Sequence, residues 1–191
     1  MNPPPSFMDG GFLSIWGSPM ARVMVFIDGS NFYHGLKKND CSHQVDFNKL
    51  GNKLAGDDEL HTIYYYNATV PEKLDPERYR KQQRFFAAVQ STPYVIMRLG
   101  RLEPRDDGMV EKGVDILIAV DMLQHAYTGS FDTAIRVSGD GDFAEAVKAI
   151  TQLGRIVKNA YFSRGRSNQL INVCHDFIEL SADYLQDCQP D

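Results

Sequence analysis

Cysteine is scarce in this chain, and what there is does not pair. The three cysteines, Cys41, Cys174 and Cys188, are odd in number and widely spaced, with no CxxC pair among them. That excludes a disulfide framework and makes a reducing cytoplasm the expected setting. Cys41-Ser42-His43 has no second ligand pair to complete a zinc site. No apolar run approaches the roughly 18 residues that a membrane span needs, so no membrane partner is expected. The first twenty residues carry no positive n-region of the kind a secretory signal requires. A basic excess is also missing: 20 Lys and Arg stand against 25 Asp and Glu, a net charge of −5. This argues against a protein that coats nucleic acid nonspecifically, but not against an enzyme that handles nucleic acid in a local groove.

What is present is an ordinary globular composition over 191 residues, 43% hydrophobic and 24% charged, enough for one full core. Residues 1–21, rich in Pro, Gly and Ser, read as a mobile extension, 22–185 as a single domain and 186–191 as a tail. The apolar run VMVFI reads as a strand buried on both faces. DGSNFYHGLKK turns into a helix, with Gly29 in the turn and Ser30 or Asn31 as the cap. A short helix is expected over 47–54, and a β-branched and aromatic strand over 61–67. A helix over 77–90 follows Pro76, with Tyr79, Phe85, Phe86 and Val89 in its apolar stripe. A strand over 94–99 leads into a charged hairpin or lid. A helix over 114–127, a strand over 134–137, a helix over 142–153 and a strand over 155–162 complete the alternation, and a closing helix is expected over 170–180. Strands alternating with helices predict a parallel sheet covered on both faces.

The aspartates fall in a pattern. Asp28 ends the first apolar strand, Asp140 and Asp142 follow the strand in AIRVSGDGD, and Asp115 opens the helix in KGVDILIAVDML. Neighbouring parallel strands would bring these acids to one carboxyl edge, where open α/β sheets bind ligands. Such a cluster repels itself unless a hard cation sits in it, and Mg²⁺ or Mn²⁺ takes oxygen ligands. Asp28, Asp115, Asp140 and Asp142 are therefore the expected metal ligands, and metal-assisted phosphoryl chemistry is the expected reaction. Asn31 can donate to a phosphate oxygen or to a metal-bound water. Each acid also has a plain structural reading: an Asp-Gly turn at 28, a helix cap at 142, a first-turn acid at 115. Asp121, six positions after Asp115, lies about 120° away around a helix and is less readily placed in the cluster. Arg164 and Arg166, in the loop after the last core strand, are the best candidates for holding phosphate. Arg98, Arg101, Arg105, Lys112, Lys37 and Lys38 are other nearby cations. Tyr33, Phe32 and Tyr66 are candidates for stacking on bases, and His34 and His125 read as structural.

VMVFIDGSNFY, KGVDILIAVDML and IRVSGDGDFAEAV, in that order, resemble the three motifs of NYN domains, and the LabA-like branch above all, within the PIN-like nuclease superfamily. The resemblance covers roughly residues 22–180. It implies a PIN-like Rossmannoid three-layer α/β/α sandwich with a mainly parallel sheet of order 3-2-1-4-5. It also implies a metal-dependent ribonuclease acting on single-stranded or structured RNA. Its catalytic positions map onto Asp28, Asn31, Asp115, Asp140 and Asp142, and the flanking small polar residues onto Ser30 and Ser138. SGDGDF also resembles the acidic loop of haloacid-dehalogenase-like phosphatases, but their DxDxT loop is here DGSN, which removes the second acid and the threonine. An RNA- or nucleotide-binding regulatory module with little turnover is the remaining alternative. A homodimer is a further expected partner arrangement, because pairing would lengthen a nucleic-acid groove.

Overall fold

The computed structural model describes residues 20–105, 108–165 and 168–191. The expected mobile stretch over 1–21 falls almost wholly outside the described residues, and so does Arg166. The order of elements is β1 (Arg22–Asp28), α1 (Gly29–Lys38), α2 (Phe47–Ala55), β2 (Glu59–Thr69), α3 (Pro76–Gln90), β3 (Val95–Arg105), β4 (Gly108–Lys112), α4 (Val114–Tyr127), β5 (Thr133–Val137), α5 (Ala144–Gln152), β6 (Ile156–Tyr161), a 3₁₀ turn at Asn168–Leu170, β7 (Asp176–Glu179) and α6 (Ala182–Gln186). The strands form one sheet in the order β4-β3-β2-β1-β5-β6-β7. Every pairing is parallel except β3 with β4. The expected order 3-2-1-4-5 is the central part of this sheet, extended by an edge strand on each side.

β1 shows why the sheet has two covered faces. Val23, Val25 and Ile27 alternate onto one side, where they pack with Phe32 and Leu36 of α1 and Leu50 of α2. Met24 and Phe26 point to the other side and pack with Ile118 and Met122 of α4 and Val147 and Ile150 of α5. A strand buried on both faces has no polar side to show, which is why it reads as a continuous apolar run. The result is a three-layer α/β/α sandwich. Among the described residues no helix is long and apolar enough to cross a membrane.

The structure corrects three local expectations. The segment expected as a helix over 170–180 contains β7, which pairs with β6 through Lys158–Tyr161. Phe177 and Ile178 pack into opposite layers of the core, a period of two that a helix cannot supply. The cap of α1 is Asp28 rather than Ser30 or Asn31: its Oδ1 accepts from the Asn31 N–H at 2.9 Å. The glycine at 29 answers to close packing, since a Cβ there would lie 2.5 Å from the Tyr65 hydroxyl and 2.6 Å from the Tyr66 carbonyl oxygen. The charged stretch after β3 is the hairpin of the two readings offered: β3 runs beyond its last partner on β2, Arg101 beside Thr69, and returns as β4.

Candidate active site

Two parallel strands set the floor of the site. Ile27 of β1 lies beside Val137 of β5, so Asp28 and Ser138, the next residues, leave the carboxyl edge together. Asp28 is buried, and its second oxygen accepts from the Ser138 hydroxyl at 3.4 Å. Asn31, one turn into α1, accepts from the Gly139 N–H at 2.9 Å through Oδ1. This bond leaves the amide NH₂ as the donor end. Ser138 also accepts from the Asp140 N–H at 3.2 Å, and Asp140 accepts from the Asp142 N–H at 3.0 Å. The loop after β5 is thus tied to the end of β1 and the start of α1 by hydrogen bonds. It is pressed from outside as well, because a Cβ at Gly139 would run into the carbonyl oxygen of Gly165.

The hairpin supplies the other acids. β4 pairs Glu111 with Leu102 and Lys112 with Arg101. The chain then passes through Gly113, in the left-handed region at φ 84°, into α4. This return carries Glu111 and Asp115 towards Asp28. Burial, then the charges of Asp28 and Asp140, raise the Asp115 carboxyl above its ordinary value. Burial, then Asp28 and Asp115, push Glu111 up to about 7. Asp28 is itself raised, chiefly by burial, against the pull of the Asn31 N–H and of Arg136.

Sequence reasoning missed two of these residues. Glu111 read as part of a charged loop. Arg136 sits in the apolar run AIRV, yet it is a fully buried cation at 1% exposure. Its guanidinium donates to the Asn159 side chain at 3.0 Å and to the Asp140 carbonyl at 2.7 Å. It lies 4.1 Å from the centroid of the Phe143 ring, within cation–π reach. Asn159 in turn donates to the Ser138 carbonyl at 3.1 Å. Burial pulls Arg136 down to about 10, with Asp140 and Asp28 opposing, so it remains a cation at neutral pH. The only signal available in the sequence was an arginine where a strand buried on both faces should be apolar.

The remaining expected residues sort themselves by position. Ser30 and Asn31 line the cleft with Asp28 and Glu111. Asp142 is exposed at the rim and does not cap α5, whose cap position is Phe143. Ser138 is buried, its hydroxyl taken up by Asp28 and Asp140, so it positions the acids and does not face the cleft. Arg164 lines a neighbouring recess with Asn31, Lys38 and Asp140, held by a bond from its guanidinium to the Lys38 carbonyl at 2.8 Å. Asp121 is not part of the cluster: it accepts from the Tyr66 hydroxyl at 3.0 Å and pairs with Arg98 at 3.1 Å. Arg98 is thus engaged by Asp121, and Arg101 pairs with Glu103. Phe32 and Tyr66 are buried in the core, leaving Tyr33 exposed. His34, which read as structural, is exposed and lines the cleft.

Asp28, Glu111, Asp115, Asp140 and Asn31 offer only oxygen and amide donors, the set a hard divalent cation prefers. One buried arginine does not neutralise them. Among the described residues no three acidic, histidine or cysteine side chains are already drawn to a common metal-binding distance.

Glu111→Gln tests the electrostatic balance. A carboxyl raised by folding holds its proton longer in the folded state. Its contribution to stability is full below the unfolded value and is lost as pH rises through about 7. In EDTA, Glu111→Gln is expected to melt with wild type at pH 5 and above it at pH 8. Half-buried His125 shifts the opposite way, but equally in both proteins, so the difference isolates Glu111. Magnesium or manganese is expected to narrow the gap at pH 8, read by thermal melts.

The sheet order, the layers and an acidic carboxyl edge define a PIN-like Rossmannoid domain. The sequence profile of the NYN domain matches residues 22–181, and the chain belongs to the NYN domain family, within the PIN-like nucleases. It is similar to the Low amplitude and bright protein LabA of Synechococcus elongatus (strain ATCC 33912 / PCC 7942 / FACHB-805), 26% identical over 137 residues, or 68% of each chain. Its fold is similar to the crystal structure of a protein of unknown function from Vibrio parahaemolyticus RIMD 2210633. The TM-score is 0.70 with 23% identity, over 90% of this chain and 99% of that one.

Proposed function

We propose that this chain is a Mg²⁺- or Mn²⁺-dependent ribonuclease that hydrolyses phosphodiester bonds at the carboxyl edge of the sheet. The observation that carries the reading is the gathering of acids from separate elements, Asp28 of β1, Glu111 of β4 and Asp115 of α4, at one sheet edge beside a buried cation, their carboxyls raised by burial first and by one another's charge second. Asp28, Asp115, Asp140 and Asp142 would hold the ion. When bound, it would neutralise these acids, polarise a phosphate oxygen and acidify a bound water near neutral pH. Asn31, with its oxygen fixed by Gly139, presents its NH₂ to a phosphate oxygen. Ser30 adds a hydroxyl donor from the first turn of α1, whose free N–H groups favour an anion. Lys38 and Arg164, at the rim, offset the repulsion that an acidic floor exerts on the strand. Glu111, half-buried and with its pKa pushed up to about 7, would accept the proton of the attacking water.

The test is cleavage of end-labelled single-stranded RNA with magnesium or manganese against EDTA, beside Asp140→Asn. Asparagine keeps an oxygen for the Asp142 N–H and leaves the carbonyl bond to Arg136 intact, so the loop should hold its shape. The expected outcome is metal-dependent cleavage that falls at least about 100-fold in the variant. RNA binding with no turnover in either protein would replace this reading with a binding module.

A further inference from the structure

The acidic cleft does not end at the carboxylates. Ser30 and His34, which line it beside Asp28 and Glu111, also line a wider cavity of 550 Å³ between α1 and α3. That volume is within the ~300–1,000 Å³ range of small-molecule sites. Tyr33 of α1, 52% exposed, forms one wall, its ring 5.2 Å from that of His43. Phe85 of α3, 43% exposed, forms the other and meets Tyr65 edge-on at 5.9 Å. The sequence pattern puts Phe85 in the buried stripe of α3, but Phe86 and Val89 alone fill that role. Phe85 is left facing the cavity.

The wall carrying Phe85 is fixed. Gln82 donates to the Ala68 carbonyl at 2.9 Å and accepts from the Val70 N–H at 2.8 Å, tying α3 to the end of β2. Four residues and one residue before Gln82, Arg78 and Lys81 line the same cavity from exposed positions. Lys81 is shared with Glu77. A cavity with aromatic walls and cations at its margin, sharing Ser30 and His34 with the acidic cleft, matches one ligand chemistry. That chemistry is a flat, uncharged ring carried on a phosphate chain.

We infer that this cavity is a nucleobase subsite: an unpaired base next to the scissile phosphate stacks between Tyr33 and Phe85, and the adjoining phosphate lies against Arg78. The inference rests on the nuclease reading for the direction of the strand into the carboxylates. It names the substrate class as single-stranded nucleic acid. A base held in a duplex cannot enter, because it is stacked within the helix.

The full chain in EDTA should quench and bind a short single-stranded RNA that carries 2-aminopurine, and should bind the same strand in a duplex at least tenfold more weakly. Tyr33→Ala with Phe85→Ala should weaken single-strand binding by about 5- to 150-fold per lost stack. Tyr33→Phe should restore the Tyr33 share, because the stack needs the ring and not the hydroxyl. Arg78→Ala, at an exposed position, should weaken binding and flatten its salt dependence; it decides the matter if the double variant does not fold. Wild-type binding by the folded double variant, or equal affinity for duplex and single strand, overturns the subsite. The two readings fail separately. Asp140-dependent cleavage with unaltered binding by the groove variants would leave the nuclease and remove the subsite. Groove-dependent binding with no metal-dependent cleavage would do the reverse.

Discussion

Replacing Arg136 with methionine is expected to destabilise the protein by about 3–5 kcal/mol, the usual consequence of removing one member of a buried charged network. Methionine fills much of the same volume, so the loss is electrostatic and polar, with cavity formation a minor part. Asn159 and the Asp140 carbonyl lose their donors, which are 3.0 and 2.7 Å away. Asp28 and Asp140 lose a buried positive charge that opposes their repulsion. Arg136→Lys should recover only part of the loss, because an ammonium cannot reach both acceptors as a guanidinium fork does. Urea unfolding at pH 7 measures this, and a midpoint within experimental error of wild type would show that Arg136 does not support the loop. Because Asn159 also holds the Ser138 carbonyl at 3.1 Å, the loop carrying Asp140 should loosen with it. Cleavage should then fall even at temperatures where Arg136→Met is still folded.

Asp28→Asn should separate stability from activity. The carboxyl of Asp28 is buried and raised in pKa mainly by that burial. Charge at this position therefore opposes folding at neutral pH. By the same linkage as for Glu111, a carboxyl raised by folding destabilises above its unfolded value. Asparagine keeps an oxygen for the Asn31 N–H, which Asp28 now accepts at 2.9 Å, so the helix cap survives. The amide should accordingly raise the melting temperature in EDTA at pH 8, with less effect at pH 4. Metal-dependent cleavage should fall at least about 100-fold, because a proposed ligand and its charge are gone. The stabilising effect of added magnesium or manganese should shrink in parallel. A variant that is both stabilised and fully active would remove Asp28 from the reaction and leave it a cap. Such a trade of stability for function is common where like charges are gathered for catalysis.

The sequence by itself determined the alternation of strands and helices and the position of Asp28 and Asp140 at the ends of their strands, and the family resemblance supplied the order of the central strands. The reason is local: a doubly buried strand must be apolar throughout, and the first polar residue after it must lie at the edge. Asp115 was legible for a similar reason, as the acid in the first turn of an apolar helix. What the sequence left open depends on which strands are neighbours. Glu111 joins the acids only because β4 folds back along β3. Arg136 is tolerable in a buried strand only because Asn159 lies beside it on β6 and Phe143 covers it. Asp121 leaves the cluster because Tyr66 and Arg98 come to it from β2 and β3. The segment after β6 becomes a strand because the sheet offers it an open parallel edge, and Phe85 faces a cavity because Phe86 and Val89 suffice for the core. Periodicity and residue type act along the chain, whereas charge neutralisation and burial of a particular side chain act across it, so only the tertiary structure decided them.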